Sequence, residues 1–398
     1  MGDTADGSSV PSIRRYVWTA AIFLFVAFEA VTMQMRGPLL TSFQATFGVQ
    51  GSLLGFVTPA ATVGFTLSLL AVGFKTGTLN VKRFLLLATI GTAVTTVLVS
   101  YASSFPLLLL FLCLQGGAAG VFRALDRPVL SHLYPVGRGR IFSLYTLLWA
   151  VGATTAPLYV NHMIATEDWR LAYLVAGGVF LFPLLLLVKL PTPTELGNEQ
   201  RLSPDAFRDL LANPAVQVMG IGLVLSGGIE GALFTWLPFY AEQFFTTQRA
   251  NRLLSLYFVA YIPGRIAISY LISRYDHLKL LCVLVTAAIP TFLVFVAYTN
   301  RLFVASVGVL GVLVAGFFPI LLAIGVEAAP QHSGPVNAIA TVANFVGITV
   351  VPLVIGILVG VRSIDLGILL PLGLLFLLLA NVLWFDGTVQ DRPAIWPS

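Results

Sequence analysis

A chain of 398 residues that is 58% hydrophobic and only 10% charged carries more apolar surface than a water-soluble fold of this length buries in one core. The net charge of +5 is scattered through short loops rather than gathered into a basic patch, so nucleic acid is not indicated as a partner. The two cysteines, Cys113 and Cys282, fall in apolar stretches of different halves; they read as small core residues and not as a disulfide framework.

Twelve apolar stretches follow one another, each long enough to cross a hydrocarbon layer of about 30 Å as a helix. The predicted spans are 16–41, 50–73, 84–103, 106–131, 140–163, 169–189, 214–241, 251–273, 278–298, 301–325, 335–360 and 364–385. The first is too long for a cleaved signal peptide, contains Glu29 and Arg36, and lacks a small-residue cleavage site. The expected fold is therefore an all-α integral membrane protein of twelve transmembrane helices in the cell membrane.

An N-terminus on the inner side puts thirteen loop lysines and arginines inside and leaves only Arg170, Arg249, Arg252, Arg301 and Arg362 outside. That asymmetry, with an even number of crossings, predicts both termini in the cytoplasm. The longest polar interruption, 190–213, contains Pro191, Pro193 and Gly197 and then a short helix signal. There Ser203 can cap, Pro204 suits the first turn, and Phe207, Leu210 and Leu211 form an apolar face for the membrane surface. The organisation read from this is a tail at 1–15, six helices over 16–189, a linker at 190–213, six helices over 214–385 and a second tail at 386–398.

An internal repeat joins the halves. Pro135, Gly139, Gly152 and Pro157 recur as Pro330, Gly334, Gly347 and Pro352, every pair offset by 195 residues and each set opening the fifth helix of its half. Duplication is the economical explanation. Parallel six-helix repeats are an architecture of secondary transporters, in which two bundles are related by a pseudo-twofold axis.

Several further segments resemble the major facilitator superfamily, and the resemblance covers nearly the whole chain. The loop after the second helix, Gly73-Phe-Lys75-Thr-Gly77-Thr-Leu-Asn80-Val-Lys82-Arg83, keeps that family's first glycine and closing basic pair, while Gly77 stands where the family has an acidic residue. Tyr134-Pro135-Val-Gly-Arg138-Gly139-Arg140, Asp168-Trp169-Arg170 and Pro263-Gly264-Arg265 are similar to family motifs at helices five, six and eight. The stretch from Gly228 through Glu230 and Trp236-Leu-Pro238 to Tyr240 resembles helix seven of the fucose-type sugar:proton symporters, and Glu29 with Arg36-Gly-Pro38 resembles helix one of the organic-anion and sphingolipid-transporter branches. What the resemblance implies is a gating or structural role for Lys82, Arg83, Arg138, Arg140 and Arg265, and a monomeric transporter.

A charge near the bilayer centre is costly, about 2.5–3.5 kcal/mol on insertion scales, so charged residues inside spans are functional candidates. Glu29, Met33 and Arg36 form one stripe expected to face the cavity between the halves, with Glu29 and Arg36 about 10.5 Å apart along the axis. An apolar setting disfavours a charged carboxylate, so Glu29, and Glu230 at similar depth in helix seven, are the expected proton-coupling groups. Arg123, Asp126 and Arg127 make a patch toward one end of helix four, read as a gate network, with Arg123 also a candidate for substrate contact. Gln115, Trp149, Trp236, Tyr240 and Asn344 complete the candidate substrate-binding set; packing or an interfacial aromatic belt is the alternative for each.

No phosphate-binding loop occurs, so ATP is not the expected energy source. His132, His162, His277 and His332 lack metal-ligand spacing, and neither a metal nor any other cofactor is expected. The expectation is a secondary transporter working by alternating access, coupled to protons or sodium, with an organic anion or a sugar-like solute as substrate. Drug/proton antiport is the alternative within transport; a membrane receptor or a membrane-embedded enzyme is the alternative outside it.

Overall fold

The computed structural model describes residues 12–73, 79–165, 168–190 and 204–390, and those residues contain helices and no strand. Among the described residues twelve helices are long and apolar enough to cross a membrane: α1 Ile13–Gln34, α2 Gly51–Gly73, α3 Val81–Ser100, α4 Phe105–Leu133, α5 Arg138–Ile164, α6 Trp169–Lys189, α7 Pro214–Ala241, α8 Thr247–Leu271, α9 His277–Ala297, α10 Arg301–Ala328, α11 Pro330–Val361 and α12 Ile364–Phe385. Each of the twelve overlaps one of the spans predicted from hydropathy.

Helix starts are written locally. Asn80, Asp168, Asn213, Asp276 and Asn300 precede α3, α6, α7, α9 and α10, and each side chain accepts a backbone N–H of the first turn. Such a cap contributes about 1 kcal/mol and fixes where a span begins. The linker helix is present as Pro204–Ala212, with Leu210 buried and Leu211 exposed; its expected cap Ser203 lies outside the described residues.

One span departs from expectation. The first was read as continuous over 16–41, whereas α1 stops at Gln34 and a separate short helix runs Leu40–Phe47. Pro38 has no N–H for the Gln34 carbonyl, and the chain crosses 35–39 by tight turns, Leu39 N–H to Arg36 O at 3.3 Å and Leu40 N–H to Gly37 O at 3.2 Å.

The chain divides into two compact units, Met1–Val49 with Pro59–Gln200, and Gln50–Thr58 with Arg201–Ser398. In the first, Phe25 of α1 stacks on Phe122 of α4 with centroids 3.5 Å apart, amid Trp18, Leu125, Tyr145 and Phe180. In the second, Tyr240, Phe295 and Phe303 form an aromatic cluster with centroids 4.8–6.2 Å apart, and Thr58 and Thr235 share a hydrogen bond of 2.8 Å.

The repeat has a packing reason. Gly152 on α5 lies against the Ala27 carbonyl of α1, and Gly347 on α11 lies against the Val224 carbonyl of α7, where a side chain has no room. Gly116 on α4 and Gly311 on α10, again 195 residues apart, meet the carbonyls of Ala61 and Tyr257 in the same way. Gly139 and Gly334, also matched in the repeat, face open space. Gly347→Val is therefore expected to cost about 1–3 kcal/mol through overpacking, read as a lower unfolding midpoint in detergent. Gly334→Ala should leave that midpoint unchanged, and equal effects of the two would reject the packing account.

Candidate functional site

In the first unit the charged candidates come together on one arginine. Arg123 of α4 reaches the Glu29 carboxylate of α1 at 3.4 Å and Asp126, one turn along its own helix, at 3.7 Å. Asp126 is fully buried and accepts the hydroxyl of Tyr145 from α5 and the backbone N–H of Arg127 at 2.6 Å. Both guanidinium groups lie over the Tyr145 ring, at 5.1 Å for Arg123 and 5.6 Å for Arg127. Three helices thus share a network of two acids, two arginines and a tyrosine.

Arg36 stands apart from that network. It occupies the break after α1, is buried, and makes one hydrogen bond, 3.4 Å to the Gln115 side-chain oxygen. Gln115 is held in turn by donating to Thr96 of α3 at 2.8 Å, and Thr96 donates to the Thr92 carbonyl. Glu29, seven residues before Arg36, is paired instead with Arg123. Met33 and Trp149 are half-buried, and Trp149 packs against the aromatic core of the unit.

In the second unit Glu230 is bridged to its arginine by a tyrosine. Tyr261 of α8 donates to Glu230 at 2.8 Å and accepts from Arg265 at 2.7 Å, with the guanidinium 5.0 Å from the Tyr261 ring. Asn344 of α11 also hydrogen-bonds the Glu230 carboxyl. Trp236 is fully buried and its indole N–H donates to the Pro352 carbonyl at 3.0 Å, while Tyr240 sits in the aromatic cluster described above. The structure places both in helix packing, with no open ring face.

The two glutamates are not equivalent along their helices. Taking Ala27 and Val224 as matched points, since each abuts the repeat glycine, Glu29 lies two residues beyond the first and Glu230 six beyond the second. The counterpart of Glu29 is Ser226, and Glu230 lies one turn, about 6 Å, farther along. The sequence-based expectation of similar depth is corrected to that extent.

Of the loop candidates, Lys82 donates to the Val188 carbonyl at 3.3 Å and the Arg83 backbone N–H is capped by Asn80 at 3.0 Å. Arg138 and Arg140 are exposed at the start of α5. Lys75 and Gly77 of the second loop lie outside the described residues. Among the described residues no group of His, Cys, Asp or Glu could hold a metal ion.

Sequence reasoning missed Tyr145, Tyr261 and Thr96. Tyr261 was within reach, because it is four residues before Arg265 and therefore on the same helix face. Tyr145 and Thr96 carried no such sign; their partners are on other helices.

Comparison with known proteins agrees with this architecture. The chain is 25% identical over 274 residues, 64% of its length and 67% of the other's, to the uncharacterised MFS-type transporter YfkL of Bacillus subtilis (strain 168). Its fold matches a bacterial homologue of the human lysosomal transporter Spinster with a TM-score of 0.82 at 14% identity, covering 97% of this chain and 100% of that one. It matches the nucleoside transporter NupG with a TM-score of 0.80 at 16% identity, covering 94% and 99%. The sequence also fits the Major Facilitator Superfamily over residues 22–248 and 245–398. With that match over most of its length and the same twelve-helix fold, the chain belongs to the Major Facilitator Superfamily, a family of membrane transporters.

Proposed function

We propose that this transporter is proton-coupled and moves a small organic solute by alternating access, as a monomer with both termini on the cytoplasmic side. The observation that carries the reading is that each unit buries one carboxyl group on its first helix and ties it to an arginine on another. Glu29 is 3.4 Å from Arg123, and Glu230 is joined to Arg265 through Tyr261. A proton taken by either carboxyl cancels its charge and frees the arginine side of the pair, so proton occupancy and helix contacts are linked. The sugar-like reading loses support because Trp236 and Tyr240, the aromatic candidates on which a sugar ring could stack, are occupied by packing.

The test uses the full chain in proteoliposomes enclosing a pH dye, with lactate, benzoate, gluconate, glucose and uridine added in turn. The expected result is a solute-dependent pH change that rises with an imposed gradient and falls about tenfold or more in Glu29→Gln or Glu230→Gln, the size of one lost charge-assisted interaction. Solute flux indifferent to the gradient, or unchanged in both variants, removes proton coupling.

A further inference from the structure

We propose that Arg36, together with Gln115 and Tyr173, is an oxyanion-binding subsite that receives the carboxylate or phosphate group of the transported solute. The inference rests on the transporter reading for the word solute; the binding site itself does not depend on it.

The argument begins with charge. In the interior of the first unit the acids Glu29 and Asp126 are both committed to Arg123. Arg36 is 6% exposed and, among the described residues, has no ion-pair partner. Its side chain makes one hydrogen bond, the long one to Gln115, and its Nε has no hydrogen-bond partner. A guanidinium has five N–H donors in a fork matched to two oxygens of a carboxylate or phosphate. Holding such a group in a low-dielectric interior with its donors unused is unfavourable unless an anion completes the site.

The surroundings have the same sign. The short helix Leu40–Phe47 starts four residues after Arg36, and Leu39 provides no side-chain cap, so the positive end of that helix adds to the arginine's charge. Tyr173 lies within electrostatic reach of Arg36, and its buried hydroxyl also lacks a partner. That hydroxyl is a second donor for an oxyanion. Gln115, whose amide donates to Thr96, presents its side-chain oxygen to the guanidinium. What the fold supplies here is an arginine with spare donors and, among the described residues, no acid within ion-pair distance; Glu29 acts on it only from farther away.

Binding is measured as the shift in unfolding midpoint of the full chain in detergent at low salt. The probes are matched pairs: benzoate with benzyl alcohol, gluconate with glucose, and glycerol 3-phosphate with glycerol. The anion of at least one pair should raise the midpoint with dose, its neutral partner should not, and the preferred pair separates carboxylate from phosphate recognition. Arg36→Gln should weaken the anion's apparent Kd by about 10- to 100-fold and Arg36→Lys by less, as the charge remains but the fork is lost. Arg249→Gln, which removes an exposed arginine of the second unit, should leave the Kd unchanged.

A second readout separates the subsite from a structural ion pair. Without ligand, Arg36→Gln should be at least as stable as the wild type, because it removes a buried charge that has no counter-ion within ion-pair distance. A lower ligand-free midpoint, binding of no anion, or anion binding that survives Arg36→Gln would overturn the proposal. None of these outcomes bears on the pH-gradient experiment, so the subsite and proton coupling fail separately.

Discussion

Arg123→Gln is expected to be the most damaging single substitution in the first unit, lowering stability by about 3–5 kcal/mol, the usual result of stranding a buried ionic partner. The reason is that Arg123 is shared. It is the cation at 3.4 Å from Glu29 and at 3.7 Å from Asp126, and Asp126 is fully buried. Removing Asp126 instead leaves Arg123 with Glu29 as counter-ion, so Asp126→Asn should cost less. Removing Arg123 leaves two acids, of which Asp126 retains the Tyr145 hydroxyl and the Arg127 N–H while Glu29 retains no charged partner within bonding distance. Arg123→Gln combined with Glu29→Gln should therefore recover part of the loss, with a coupling of about 0.5–3 kcal/mol in a double-mutant cycle. Tryptophan fluorescence in detergent gives the midpoints. If Arg123→Gln unfolds within about 1 kcal/mol of the wild type, the two carboxyl groups are already neutral and the network is hydrogen-bonded rather than ionic.

The sequence made the spans legible because lipid imposes one simple requirement, a long apolar helix, and each stretch satisfies it without help from its neighbours. The repeat was legible for a related reason. Gly152 and Gly347 are where two helices come closest, so they persist in both halves while the surrounding residues differ. The extension of that repeat to Gly116 and Gly311 shares the 195-residue offset, yet on α1 and α7 the frame shifts, since Ala27 and Val224 are 197 apart. In either frame Glu29 falls short of Glu230: its counterpart is Val224 at an offset of 195 and Ser226 at 197, so the two acids occupy different positions of the repeat.

Partner choice was not legible. Glu29 and Arg123 are 94 residues apart, and nothing in either local sequence says that α1 and α4 bring them together rather than Glu29 and Arg36. Hydropathy is equally blind to the α1 break. Leu39 and Leu40 are as apolar as a continuing span requires, and only Gly37-Pro38, read for its backbone rather than for its hydrophobicity, marks the turn that holds Arg36. The tyrosine bridge between Glu230 and Arg265 shows a third limit. A polar residue that mediates between two charges looks, in sequence, like any other aromatic in a membrane helix.

Trp236→Ala should lower stability by about 3–5 kcal/mol, the cost of truncating a fully packed aromatic. The indole is 0% exposed, meets Phe239 edge-on at 5.4 Å, and donates to the Pro352 carbonyl at 3.0 Å, so it ties α7 to α11. Trp236→Phe keeps most of the ring and loses the N–H, for which about 0.5–1.5 kcal/mol is expected. The same pair of variants separates packing from solute stacking. In the packing account both lower the unfolding midpoint, in the order Ala more than Phe. At a temperature where Trp236→Phe is folded, its affinity for any solute that stabilises the wild type stays within about twofold, which is about 0.4 kcal/mol. A stacking residue gives the reverse, a preserved midpoint with affinity lost in Trp236→Ala and largely kept in Trp236→Phe, since a phenyl ring still presents a face. The buried indole N–H favours the first pattern, because a ring whose polar edge is held by the neighbouring helix cannot turn toward a solute without giving up that bond.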